Sequence, residues 1–348
     1  EGAGGTSTTL GLDLSASWEI DVFGGRRRAV QAARADLEAT EADAIATRVA
    51  VTGEVADAYL ARQGALDRLR IAEENIASFR DTVGLTSARL SAGLVSELDT
   101  ALAQADLDAA LADVPALRTE AALQEHRLAA ALGITAVEVG ALVASAGGLP
   151  GAPVIDGRGV PVDLLRRRPD VVAAERRVAL ASATIGEQVA EYFPRLTLNG
   201  AIGVSSSEAD RLLRSSAGTW LIGPSFQWRV LDFGRIDAAI EGARADERLA
   251  IAEYRRSIVE AVRDAEDAAV QFDNAAVEME ARGTALASRE RALAVAQGQY
   301  STGLAEFLPV LDAQRGVNRA RTELSGSRER RARAAVALYR ALGGGWGT

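Results

Sequence analysis

The chain has 348 residues, 48% hydrophobic and 25% charged, so it is neither disordered nor of low complexity. Its formal net charge of −9 argues against nucleic acid as the main partner. There is no cysteine, one histidine (His126) and no lysine, all 39 basic residues being arginine. This excludes disulfides, thiolate metal sites and a cysteine nucleophile, and leaves almost no room for histidine chemistry.

The chain begins at Glu1 with no basic-then-apolar leader and no lipid-accepting cysteine. In chain order, the first element is a period-two segment, 10–20. Leu10, Leu12, Leu14, Ala16, Trp18 and Ile20 share one face, and Gly11, Asp13, Ser15, Ser17 and Glu19 the other. Residues 26–90 follow without proline and rich in Ala, Arg, Glu and Leu, which predicts one long helix. At 1.5 Å per residue it is a rod of roughly 97 Å. Leu69, Ile76, Val83 and Leu90 recur every seven residues, the signature of coiled-coil-like packing.

A short tip at 91–96 places Gly93 where a helix C-terminus needs a left-handed residue. Ser96 with Asp99 then reads as a capping-box restart of a return helix over 97–132. Residues 134–160, rich in glycine and proline, predict an irregular connection. The longest uncharged stretch, 139–155, lies here and is broken by Pro150 and Pro153, so no helix spans a membrane.

Helices are expected over 163–192, where Asp163 starts a short one and Pro169 opens a longer one. Two further strands are expected at 196–206 and 220–230, the latter setting Trp220, Ile222, Phe226 and Trp228 on one face. A second long helix at 235–300 carries the heptad Met279, Leu286, Leu293 and Tyr300. A tip at 301–306 and a return helix at 307–342, with Pro309 in its first turn, complete the chain.

An offset of 210 residues carries Ser15, Trp18, Phe23 and Gly24 onto Ser225, Trp228, Phe233 and Gly234. The same offset carries Gly93-Leu94 onto Gly303-Leu304 and Ala131-Leu132-Gly133 onto Ala341-Leu342-Gly343. This reads as an internal duplication: a first repeat at 1–133, a connecting segment at 134–160 and a second repeat at 161–348. The segment ahead of Trp228 has no counterpart in the first repeat, an expectation of about 50 further residues upstream of Glu1. Each strand has the length that crosses a bilayer when tilted. Trp18, Trp220 and Trp228 on the apolar faces are distributed like the aromatic girdle of a membrane barrel, although a soluble sheet with one buried face gives the same alternation.

Several motifs, in order along the chain, resemble the TolC family of outer-membrane efflux channels, closest to its OprM/NodT-like branch. They are Leu164-Leu165-Arg166-Arg167-Arg168-Pro169-Asp170, Tyr192-Phe193-Pro194, Gly223-Pro224-Ser225, Leu231-Asp232-Phe233-Gly234-Arg235, Leu311-Asp312-Ala313-Gln314-Arg315 and Ala341-Leu342-Gly343-Gly344-Gly345-Trp346. The resemblance implies a mainly α fold with a membrane β-barrel part. In it a homotrimer builds a periplasmic α-barrel of long coiled helices and a shared twelve-stranded β-barrel, with an equatorial domain at the waist.

It further implies a passive exit duct in the Gram-negative outer membrane, exporting small molecules. The duct would act with a periplasmic adaptor and an inner-membrane pump of the proton-driven RND type, touch outer-membrane lipid, and carry a lipidated cysteine upstream of this sequence. No enzyme activity, cofactor, metal or nucleic acid is implied.

By motif, Asp99, Tyr300 and Asp312 fall at gate and pore-selectivity positions. Gly93, Leu94, Val95, Gly303, Leu304 and Ala305 fall at adaptor-contact tips. A gate arginine of some members falls at Ala305, so no Asp–Arg latch is expected there. Read without the family, Asp99 is a helix cap, Tyr300 a heptad core residue and Asp312 part of a solvated face. A soluble helical-bundle scaffold explains the heptads but not the tryptophan-bearing strands. An adaptor protein would carry one hairpin rather than two. Arg166, Arg167 and Arg168 read as structural, capping helix carbonyls or pairing with acidic neighbours.

Overall fold

The computed structural model describes residues 8–143, 147–151 and 166–344. The elements are β1 (Leu10–Ile20), α1 (Gly25–Ser91), α2 (Glu97–Leu132), α3 (Ala136–Val143), α4 (Pro169–Ala190), β2 (Arg195–Ser206), β3 (Gly218–Gln227), α5 (Arg235–Ser301) and α6 (Leu308–Ala341), with two short 3₁₀ turns between β2 and β3. The long helices α1 and α5 are each 67 residues. The chain divides into two compact units, each drawing on both halves of the sequence. One comprises 1–43 and 170–257, the other 44–169 and 258–348.

In the first unit the strands form an antiparallel sheet in the order β1-β2-β3. The register matches apolar rows across it: Leu14 faces Ile202 and Ile202 faces Trp220, while Trp18 faces Leu198 and Leu198 faces Pro224. Because alternate side chains point to opposite sides, this collects most of the large apolar residues of the three strands on one face, Leu221 standing on the other. That face is bare. Leu12, Leu14, Trp18, Ile202, Trp220, Ile222 and Phe226 are each at least 64% exposed. On the polar face, Ser17 donates to Asn199 at 3.0 Å and Asn199 donates to Ser225 at 2.9 Å, a ladder across all three strands.

The helices of this unit meet through small residues. Ala32, Ala35, Ala39 and Ala42 of α1 are buried, as are Ala173, Ala174 and Ala183 of α4 and Ile236, Ile240 and Ala243 of α5. Spacings of three and four residues keep these positions on one stripe, and alanine lets the axes approach closely. Arg176 pairs with Glu38 at 3.3 Å and Arg177 with Asp43, tying α4 to α1.

The second unit is a bundle of α1 beyond Asp43, α2, α3, α5 beyond Ser257 and α6. Ile76, Phe79, Leu107 and Val114 form one cluster with Leu69 and Val83 packed against it, so the heptad positions of α1 do face α2. Ala58, Leu128, Ala129 and Val139 form another, joining α1, α2 and α3. On α6, Val310, Val317, Leu324 and Leu338 are buried at multiples of seven, and so are Ala320, Ser327, Ala334 and Ala341 on a second stripe. Two seven-residue stripes on one helix mean partners on two flanks.

Polar groups also cross this interior. Arg68 of α1 bonds Glu329 of α6 and, at 2.6 Å, Glu120 of α2, while Arg333 reaches Asp57 at 2.6 Å. Burial works against the Arg68 charge, but its bonds to Glu329 and Glu120 outweigh that and raise its pKa. Gly64 makes room for this network, since a Cβ there would lie 2.2 Å from a Glu329 carboxylate oxygen. Arg168 bonds the Ala261 and Ala341 carbonyls and pairs with Asp264 at 3.3 Å, the structural role expected of it.

Three expected bounds differ. The third strand runs over 218–227 rather than 220–230. It loses its partner at Arg195↔Gln227, the last pair before Pro194, so Trp228 lies just past β3, where its indole N–H donates to the Tyr192 carbonyl at 2.9 Å. The connection at 134–160 contains the eight-residue α3. Its start is a capping box in which Glu138 accepts from the Thr135 N–H at 2.8 Å, a bond that lowers the Glu138 pKa. The helix expected from 163 is seen from Pro169, with residues 166–167 in a turn and 163–165 outside the described residues.

Candidate gate and docking tips

Both tips lie in the second unit, and both are closed by the same backbone device. At the end of α1 the Gly93 N–H donates to the Leu90 carbonyl and the Leu94 N–H to the Arg89 carbonyl, each at 2.9 Å. After α5 the Gly303 N–H donates to Tyr300 at 3.1 Å and the Leu304 N–H to Gln299 at 2.9 Å. Gly93 at φ 71 and Gly303 at φ 76 occupy the left-handed region that this Schellman turn requires.

The same turn closes α2 at Gly133. There the following residue, Ile134, packs into the α1–α2–α3 cluster beside Ala129. At the tips the equivalent residues have no such partner, because the positions they would touch are Arg89 and Gln299. Leu94 is 73% exposed and Leu304 82%. Val95 and Ala305 are half-buried. Each tip therefore presents one bare leucine on a rigid turn.

Asp99 sits at the third position of α2 and closes the capping box. Its carboxylate accepts from the Ser96 N–H at 3.0 Å and from the Ser96 hydroxyl at 2.9 Å. Tyr300, at the end of α5, packs against Ala103, Phe307 and Leu311, with its ring 5.5 Å from that of Phe307. The Arg89 guanidinium lies over the Tyr300 ring at 4.4 Å, a cation–π contact between the ends of the two long helices. The Tyr300 hydroxyl is buried with no hydrogen-bond partner among the described residues.

Asp312 lies one turn into α6 and remains 62% exposed. It pairs with Arg315 at 3.2 Å, and Arg315 also grips Asp106 of α2 through two contacts of 2.9 and 2.7 Å. The hydrogen bond to Asp106 raises the Arg315 pKa. Of the three, Tyr300 packs on the apolar cluster, Asp99 is bonded to Ser96 and Asp312 to Arg315, and none of them bonds another among the described residues.

Sequence reasoning missed the Asp106–Arg315–Asp312 chain. The signal was partly there: the spacing of Asp312 and Arg315 puts both on one helix face. The pairing with Asp106 crosses 209 residues and has no local pattern. Among the described residues no group of three or more acidic or histidine side chains could hold a metal ion.

The sequence profile of the family described as outer membrane efflux protein matches residues 1–134 and 160–344. The chain is similar to the pyoverdine export outer membrane protein OpmQ of Pseudomonas putida, 32% identical over 98% of this chain and 72% of that one. It is similarly related to outer membrane protein OprJ of Pseudomonas aeruginosa, 32% identical over 98% and 71%. Among solved structures, the outer-membrane channel OprN superposes with a TM-score of 0.86 at 32% identity, over 98% of this chain and 81% of that one. VceC from Vibrio cholerae gives 0.86 at 26% identity, over 99% and 82%. With its bare-faced sheet, long hairpins and two matching tips, the chain belongs to the outer membrane efflux protein family, as an outer-membrane exit duct whose helical part lies in the periplasm.

Proposed function

We propose that three copies of this chain close a twelve-stranded barrel in the outer membrane and a helical barrel in the periplasm, forming a passive duct for small toxic molecules. The observation that carries this reading is the three-stranded sheet. Its continuous apolar face is uncovered, and the outer edges of β1 and β3 are unpaired among the described residues. Exposed edges and an exposed apolar face suit a closed barrel in lipid, where no edge remains. A soluble scaffold would have to bury that face. Trp220 shares the row of Leu14 and Ile202, four residues of register from Trp18, and both stand on the apolar face, with Trp228 anchored to the Tyr192 backbone just past β3.

The tips are the proposed contact with a periplasmic adaptor, through Leu94 and Leu304 on turns built by Gly93 and Gly303, with Val95 and Ala305 as their half-buried base. An inner-membrane pump of the proton-driven RND type would supply energy through that adaptor. The gate is proposed to rest on Asp99, Tyr300 and Asp312. Asp312, repeated by three-fold symmetry, gives a ring of carboxylates that attracts cations and disfavours anions. Arg315 moderates that ring by pairing each Asp312, and its grip on Asp106 locks α6 to α2.

The test is single-channel conductance of the full-length protein in planar bilayers, alongside drug accumulation in cells lacking their own duct. Asp312→Asn is expected to lower cation preference, and Arg315→Ala to raise conductance by releasing α6 from α2. A Leu94→Asp, Leu304→Asp double variant is expected to insert and conduct normally while failing to restore efflux. No conductance from protein recovered in the outer membrane would overturn the duct, and unimpaired efflux by the double variant would overturn the tip contact.

A further inference from the structure

The long helix of the first repeat, α1, has helices on two opposite flanks. Leu69, Ile76 and Val83 pack with Leu107 and Val114 of α2. The far side meets α6, where Ser325 donates to Asp67 at 2.5 Å and Gln314 donates to Ser78 at 2.7 Å. These two contacts fix an antiparallel register, because eleven residues forward on α1 are eleven back on α6.

The α1–α6 contact joins the long helix of one repeat to the return helix of the other. A duplicated chain holds a second pair of that kind, α5 with α2. The 210-residue offset carries Asp67, Ile71 and Ser78 of α1 onto Val277, Ala281 and Ser288 of α5. It carries Gln314, Arg321 and Ser325 of α6 onto Gln104, Leu111 and Pro115 of α2. All six of these positions are exposed, with Val277 at 67% and Leu111 at 40%. Their counterparts Ile71, Gln314 and Ser325 are at most 6% exposed, because α1 and α6 cover one another.

The two bare faces are complementary in the register that α1 and α6 use. The place of Asp67 and Ser325 becomes valine opposite proline, and that of Ile71 and Arg321 becomes alanine opposite leucine, so exposed apolar groups meet. The serine–glutamine pair is retained unchanged as Ser288 and Gln104. Within the chain these two bond only along their own helices, Gln104 donating to Asp108 at 2.9 Å and Ser288 accepting from Arg291 at 3.2 Å. The correspondence stops beyond Pro115, where the Asp57–Arg333 ion pair becomes Asp267 and Leu123.

We propose that the α5 face of one copy packs on the α2 face of the next, in the register of the α1–α6 contact. Val277, Ala281 and Ser288 of one copy then meet, respectively, Pro115, Leu111 and Gln104 of the partner subunit. The two faces differ, so the contact is head-to-tail, repeats from copy to copy and closes a ring of helices. This rests on the trimer proposed above and specifies what joins its helical part: apolar contact and one neutral hydrogen bond rather than ion pairs.

The chain has no cysteine, so paired cysteines read the seam directly. In the full-length membrane-inserted protein, Ser288→Cys with Gln104→Cys is treated with a short bismaleimide and run on a denaturing gel. Val277→Cys with Pro115→Cys repeats the test further along the seam. Ser288→Cys with Leu123→Cys is displaced by roughly 28 Å along α2. Covalent dimers and trimers are expected from both in-register pairs, with loss of that ladder in the displaced pair. Glutaraldehyde on the same membranes reports whether trimers form at all. Trimers by glutaraldehyde without a ladder from either in-register pair would overturn the seam and leave the trimer standing. An equal ladder from the displaced pair would also overturn it, because the register would be wrong. Absence of trimers with glutaraldehyde would overturn both the seam and the trimer.

Discussion

The sheet and the helical bundle treat exposed leucine in opposite ways. In the bundle the clustered apolar side chains turn inward, with Leu128 and Leu311 at most 2% exposed, while single leucines such as Leu123 stay on the surface, and arginine–carboxylate pairs cross between helices. In the sheet the large apolar side chains stand exposed on one face, with Leu12 at 71% and Trp220 at 79%, and the opposite face carries a serine–asparagine ladder. On the proposed reading the apolar face of the sheet meets lipid, where a leucine loses nothing by exposure, whereas the bundle gathers its apolar clusters away from water.

The largest expected effect probes the bundle interior. Glu329→Ala leaves Arg68 without its main partner in a half-buried site, and is expected to destabilise the helical part by about 3 kcal/mol. Thermal unfolding in detergent, followed by circular dichroism, checks it. Gly64→Ala should act in the same direction, because its methyl displaces the same carboxylate.

The comparison itself is tested by placing arginine at two exposed leucines. Leu12→Arg is expected to cost about 2–4 kcal/mol if it faces hydrocarbon, and so to deplete the protein from the alkaline-washed outer-membrane fraction. Leu123→Arg, on a helix and 59% exposed, should change stability by no more than about 0.5 kcal/mol. Equal tolerance at both sites would erase the distinction between the two surfaces.

A smaller effect concerns the restart after the first tip. Ser96→Ala removes the hydroxyl that accepts from the Asp99 N–H and donates to its carboxylate, and is expected to cost about 1 kcal/mol in the same melt. If conductance changes far more than stability, Asp99 is serving the gate as well as the cap.

The smallest effect is a pH dependence. Burial pushes the Asp67 carboxyl up, but the Ser325 hydroxyl at 2.5 Å and the Arg70 guanidinium outweigh it and hold its pKa below the ordinary value. A depressed folded pKa means the contribution is complete above the unfolded carboxylate pKa and is lost as pH falls through the folded one. Acidification below the usual carboxylate range should therefore loosen the α1–α6 contact. Asp67→Asn should flatten that part of a stability-against-pH curve.

Much of the fold was legible in the sequence because its signals are local and periodic. The long helices, the Ser96–Asp99 box, Pro309 in the first turn of α6 and both left-handed glycines follow from patterns that sit within a few residues of one another. The start of α3 was equally readable, since Thr135 and Glu138 form the same box as Ser96 and Asp99, but the surrounding glycines and prolines obscured it.

The candidate site was less legible. Asp99, Tyr300 and Asp312 could be named, but not the partners that occupy them. The end of the third strand also lay outside local reach, because alternation continues to Val230 while pairing stops at Gln227.

The sequence by itself determined the long helices, their tips and the core of each strand, and which face of each is apolar, because backbone sterics and side-chain periodicity act over a few residues. The tertiary structure alone decided what each apolar face meets. It packed Ile134, half-buried, against a cluster and left Leu94 and Leu304 bare on identical turns, and it joined Asp106 to Arg315 across 209 residues. The physical reason is that a turn closes through its own hydrogen bonds, whereas burial and ion pairing depend on which distant segment arrives beside it.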